Sequence, residues 1–204
     1  MAVQNASEAR GGYDESTALI VVDVQNDFAH PDGNLYVQGG DEAISAVNRE
    51  IAAAQQAGSL VAYTQDWHPP STPHFEKDGG TWPTHCVQDT WGAQLHPALT
   101  VVDGPIVRKG TEGEDGYSAF SVRDPESGAE APTELEGILK EQSVQRVVVV
   151  GLAQDVCVKE TVLDARRLGF DATVVGDATR PVELQPGDGE RALSDMTDAG
   201  ADIR

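Results

Sequence analysis

The sequence predicts an α/β fold, a central and mostly parallel sheet held between layers of helix. Two observations carry that expectation: apolar runs rich in β-branched residues that lack polar alternation, and amphipathic stretches of helical length between them. A chain of 204 residues, 39% of them hydrophobic, is long enough to cover such a sheet on both faces within one domain.

Residues 1–16, MAVQNASEARGGYDES, lack an apolar central region. They read as a flexible arm and not a signal peptide, leaving 17–204 as the single domain. The first strand is expected over 18–24, ALIVVDV. A helix follows over 41–56, where Ile44, Val47, Ile51 and Ala54 share a face behind Asp41 as N-cap, and Gly58 sits at the C-terminal cap. Further strands are expected at 59–65, 105–107, 147–150 and 172–175, and further helices at 133–141, 155–168 and 190–199. Residues 66–104 are rich in Pro, Gly, His and Trp with little periodicity, and an irregular stretch of that length is either functional or disordered.

Composition excludes several classes of partner. Lys and Arg total 14 against 34 Asp and Glu, for a formal net charge of -20, which repels nucleic-acid backbones and anionic membranes. No apolar run approaches the ~20 residues of a membrane span. Two cysteines make no disulfide framework, so a reducing, cytoplasmic compartment is expected. The sequence leaves a homo-oligomer open.

The unusual residues fall at the expected strand ends. Asp23 closes the first strand, Asp66 and His68 follow the second, Lys109 the third and Cys157 the fourth, and the carboxyl edge of a parallel sheet is where such folds build their sites. Cys157 has two readings, a small apolar residue in the core or a nucleophile. For the second, a helix start near Asp155 and the Lys109 ammonium would favour the thiolate, Asp23 would exchange the proton, and N–H groups near Ala153 and Cys157 would receive charge on an attacked carbonyl oxygen. That is acyl transfer. Asp66 and His68, two apart on extended backbone, join His85 to offer one carboxylate and two imidazoles, a set suited to a divalent metal such as Zn, Fe or Mn. The alternative is a loop of surface histidines.

DVQNDF (23–28), DWHP (66–69), WPTHCV (82–87), KG (109–110), YSAF (117–120) and GLAQDVCV (151–158) together resemble the nicotinamidases of the isochorismatase-like cysteine hydrolase superfamily. The resemblance implies a Rossmann-like three-layer α/β/α fold and an Asp23–Lys109–Cys157 triad that hydrolyses nicotinamide, a small aromatic amide, and also pyrazinamide. It implies a metal, zinc first, on Asp66, His68 and His85, with His74 as a further ligand. It implies Phe28, Trp82, Gln25 and Tyr117 as substrate-binding residues, and a cis peptide at Leu152–Ala153. Gln154 and Thr84 depart from the family, which more often has threonine and proline there. The remaining alternatives are a sister enzyme, isochorismatase-like or acting on N-carbamoyl amides, and a flavodoxin-like binding module without catalysis.

Overall fold

In the computed structural model, which describes residues 12–204, six parallel strands form one sheet in the order β3-β2-β1-β6-β7-β8. They are β1 (Thr17–Val22), β2 (Leu60–Asp66), β3 (Ile106–Lys109), β6 (Arg146–Leu152), β7 (Asp171–Arg180) and β8 (Asp202–Ile203). A separate antiparallel hairpin pairs β4 (Ser121–Arg123) with β5 (Glu130–Pro132). The helices are α1 (Asn26–Ala29), α2 (Gly40–Gln56), α3 (Leu135–Glu141), α4 (Lys159–Arg167) and α5 (Asp188–Asp198).

The uninterrupted apolar runs are covered on both faces. Leu19, Val21, Val148 and Val150 point toward α2, where they pack with Ile44, Val47 and Ile51. Ile20, Val22, Val147 and Val149 point the other way, onto Leu135, Leu139, Val162, Ala165 and Met196 of α3, α4 and α5. This is the three-layer arrangement that the strand pattern requires. Because β2 and β3 lie to one side of β1 while β6, β7 and β8 lie to the other, the order of strands reverses between β1 and β6 although the two run parallel. A crevice opens at such a switch point, beyond the carboxyl ends of the strands.

Several boundaries differ from expectation for local reasons. The first strand stops at Val22 because Asp23 turns out of it at φ 48°. Asp41 is not the cap of its helix. Gly39, at φ 76°, holds that position, while Asp41 lies in the first turn and accepts the Tyr36 hydroxyl at 2.7 Å. Gly151 can only be glycine, since its φ is 110° and an added Cβ would lie 2.0 Å from the Val22 carbonyl oxygen across the β1–β6 pair. Of the expected N-terminal arm, residues 1–11 lie outside the described residues. Its end is docked, with the Tyr13 hydroxyl donating to Glu50 Oε2 at 2.6 Å and the Thr17 hydroxyl to Asp14 Oδ1 at 2.8 Å. Among the described residues no helix is long and apolar enough to cross a membrane.

Candidate active site

Sheet register brings the charged residues together. Asp66 and Lys109 are directly paired last residues of β2 and β3, so their side chains leave the same face. Lys109, fully buried at 0% exposure, sends its Nζ to Asp23 Oδ2 at 2.8 Å, to Asp66 Oδ1, and to the Gly116 carbonyl oxygen at 2.5 Å. The same ammonium lies 4.0 Å from Cys157 Sγ. Asp23 is further fixed by the Thr64 hydroxyl, which donates to Oδ1 at 2.6 Å.

Burial and charge compete in this cluster. Burial alone would neutralise Lys109, yet Asp23 and Asp66 overcome it and hold the ammonium well above the usual lysine range. Burial also works against the Asp66 carboxylate, but Lys109, His68 and His85 hold its pKa well below the ordinary value. Asp23 goes the other way, raised by burial beyond the pull of Lys109. Cys157 is pushed well up, by burial first and then by Asp23 and Asp66, against the opposing pull of Lys109. Lys109 favours the thiolate, as the sequence leads one to expect, while burial and the two nearby carboxylates favour the thiol.

Cys157 lies in a turn of π-helix, Gln154–Val158, that joins β6 to α4, and irregular turns of this kind frequently mark functional sites. The peptide Leu152–Ala153 entering it is cis. Gln154 turns away from the cavity, its amide donating to the Gly189 carbonyl at 2.9 Å.

A second cluster stands beside the first. His68, His74 and His85 are all buried and each offers a ligand atom within 4.8 Å of the others. Asp66 Oδ2 is 3.8 Å from Nε2 of both His68 and His85. His85 Nδ1 faces the Pro83 carbonyl at 2.7 Å, which leaves Nε2 free to ligate. Burial lowers the His68 pKa despite Asp66, keeping the imidazole neutral, and neither of its ring nitrogens has a hydrogen-bond partner. Buried polar atoms are rarely left so. Three imidazoles beside a carboxylate, with both nitrogens of His68 orphaned, fit a divalent metal ion. Gly110 permits the arrangement, because at φ 72° an added Cβ would come within 2.5 Å of the His68 ring.

One apolar cavity connects both clusters. Phe28, Trp82 and Tyr117 line it with Ala153, Cys157, Asp66, His74 and His85, and Leu35, Gly116, Val156 and Val182 complete its walls. The Trp82 indole donates to the Tyr117 hydroxyl at 2.9 Å, and burial pushes the Tyr117 pKa up to about 12. Gln25 does not line this cavity, which corrects its place among substrate-binding residues. Its side-chain amide donates to the Asp66 and Ala93 carbonyls and accepts the Asp66 N–H at 2.9 Å, so it clamps the backbone of Asp66. Sequence reasoning also missed Thr64, Gly116 and Asp115, the last 2.6 Å from His74 Nδ1, and no local pattern marks any of them. Cys86, beside His85, is buried with its thiol raised by burial, and its Sγ approaches only the Gly92 carbonyl.

The arrangement sets a buried thiol against one wall of an apolar cavity, with the Lys109–Asp23 pair beside the sulfur and a cluster that fits a metal on another wall. The chain belongs to the isochorismatase family, whose domain matches residues 17–204. Within that family its relatives include nicotinamidases and, at lower identity, ureidoacrylate amidohydrolases. The Escherichia coli (strain K12) nicotinamidase is 38% identical over 203 residues, covering 91% of this chain and 93% of that protein. The pyrazinamidase of Pyrococcus horikoshii in complex with zinc is 39% identical with a TM-score of 0.82, covering 93% of this chain and 98% of that one. PnC1 from L. infantum in complex with nicotinate is 34% identical with a TM-score of 0.85, covering 95% of this chain and 94% of that one.

Proposed function

We propose that this chain hydrolyses nicotinamide to nicotinate and ammonia, acts also on pyrazinamide, and does so through a thioester on Cys157. The observation that carries the reading is the 4.0 Å approach of Cys157 Sγ to a Lys109 ammonium that also binds Asp23 and Asp66, in a slot walled by Phe28 and Trp82. Likeness to nicotinamidases over more than nine-tenths of the chain supports the substrate class.

Asp23 takes the Cys157 proton as sulfur attacks the amide carbon. Burial raises Asp23 above the ordinary carboxylate range, which makes it a stronger base toward the thiol than a free carboxylate. N–H groups of Ala153 and Cys157 receive the charge on the carbonyl oxygen, a contribution of about 3 kcal/mol per donor in comparable sites. Asp23 then returns its proton to the departing amine and ammonia leaves. Water enters and, as Asp23 removes a proton, its oxygen bonds to the acyl carbon; the carbon–sulfur bond then breaks and Asp23 returns the proton to sulfur, giving the carboxylic acid and restoring the thiol. Lys109 holds both carboxylates in place and offsets the sulfur's charge during attack.

Phe28 and Trp82 pack the faces of the aromatic ring and exclude water. His68, His74, His85 and Asp66 would hold a divalent ion, zinc first, which when bound supplies a Lewis-acid contact that orients the ring by its nitrogen.

Ammonia release from nicotinamide, measured with and without chelator, tests the reading. Turnover that falls on chelation and returns with added Zn2+ is expected, and Cys157→Ala should lower it by about 10^4-fold or more. Absence of ammonia release from nicotinamide by metal-replete protein refutes the assignment.

A further inference from the structure

His68, His74 and His85 differ in how their second nitrogens are held. His85 uses a carbonyl of its own loop, Pro83, while neither ring nitrogen of His68 has a hydrogen-bond partner. His74 alone meets a carboxylate: Nδ1 lies 2.6 Å from Asp115 Oδ1, forty-one residues away in the chain, with the two side chains 3% and 18% exposed. A carboxylate there accepts, so Nδ1 carries a hydrogen, which leaves Nε2 as the nitrogen available to ligate.

Asp115 is itself anchored. Its N–H donates to the Arg123 carbonyl at 2.8 Å, and the Arg123 N–H donates back at 2.9 Å. These two bonds attach residue 115 to the last residue of β4, which β5 braces from the other side. A second link joins the same two loops, since the Thr72 hydroxyl donates to the Gly113 carbonyl at 2.7 Å and accepts the His74 N–H at 3.2 Å. The β4–β5 hairpin contributes nothing to the main sheet. What it does hold is the carboxylate behind one histidine.

We propose that Asp115 is a positioning residue for the metal: it fixes the ring and tautomer of His74, recruits that histidine as a fourth protein ligand, and so sets the affinity of the cluster for a divalent ion. This rests on the metal reading above. Carboxylates in this position orient ligating imidazoles and raise their basicity, and losing one typically weakens metal binding about 10- to 100-fold.

The test is a double-mutant cycle read as Zn2+ affinity, by competition with a chromophoric chelator, on the full chain. Asp115→Ala and His74→Ala should each lower affinity about 10- to 100-fold, and Asp115→Ala added to His74→Ala should lower it by less than about twofold more, because Asp115 acts only through that ring. A purely structural carboxylate would weaken both backgrounds alike, so multiplicative losses overturn the proposal. So does an Asp115→Ala affinity within about twofold of the wild type. Should Asp115→Ala fail to fold, Asp115→Asn keeps size and one acceptor oxygen; a loss of about threefold to tenfold supports the assignment and an unchanged affinity overturns it. The readout is ion binding alone, so a result against Asp115 leaves amide hydrolysis standing, and ammonia release by the same wild-type preparation tests that separately.

Discussion

At the scale of single residues, Lys109 is the group on which the others depend. It is buried with two carboxylates on its ammonium and no solvent to replace it. Lys109→Met removes the partner of two buried charges, and stripping one member from such a pair costs about 3–5 kcal/mol; chemical denaturation of the variant should show a loss of that size. The thiol supplies a second readout. Burial raises the Cys157 pKa well above its ordinary value while Lys109 pulls it down, so a raised folded pKa leaves the sulfur protonated at neutral pH. Alkylation of the metal-free protein should therefore be slow near pH 7 and climb only above the ordinary thiol range of about 8.5. Lys109→Met should push that climb to higher pH still, with Cys157→Ala as the blank. A fast-reacting thiol at pH 6 would contradict this balance of terms. The residue types and their strand-end positions were legible in the sequence, and so was the company of Asp23, Lys109 and Cys157. The sign of the sulfur's shift was not, because spacing reveals charged neighbours and gives no measure of how completely they are buried.

At the scale of elements, the β/α alternation was legible because the central strands β1 and β6 are continuous apolar runs rich in β-branched residues, as at 147–150. The elements that escaped are those stabilised by their surroundings. β8 is two residues long and pairs with β7, and β5 includes Pro132 and is exposed along its length. The irregular segment 66–104 is ordered by side chains of α1. Asp27, itself buried, accepts the Cys86 N–H at 2.7 Å and the Asn34 N–H at 3.0 Å, and Asn26 donates to the Trp91 carbonyl at 2.8 Å. Neighbouring backbone joins in, with Asp27 N–H donating to the Gly92 carbonyl at 3.0 Å. Asp27→Ala orphans two N–H groups, a cost of about 1–3 kcal/mol each where they stay dry. Because those bonds hold the loop and not the sheet, hydrogen exchange should quicken across 82–92 while β1 and β6 keep their protection. Uniform loss of protection would mean that Asp27 supports the whole domain instead.

For the whole molecule, the two halves of the site belong to different kinds of structure. Asp23, Asp66 and Lys109 sit on or next to the ends of the adjacent strands β1, β2 and β3, whereas His74 and His85 lie in the long connection between β2 and β3. Closing an ion between them ties that connection to the sheet, and an ion that binds only the folded chain stabilises it by about 2.7 kcal/mol at one hundred times its dissociation constant. For a domain of this size each kcal/mol moves the melting temperature about 2–4 °C, so saturating Zn2+ should raise it by about 5–10 °C. The gain should be largest here because the metal-free site is poorly satisfied, with both nitrogens of His68 buried and unpartnered. Chelator should reverse the shift, and His68→Ala should abolish it while relieving part of the metal-free penalty. A melting temperature indifferent to Zn2+ in the wild type, measured beside a positive binding isotherm, would place the ion somewhere other than this cluster.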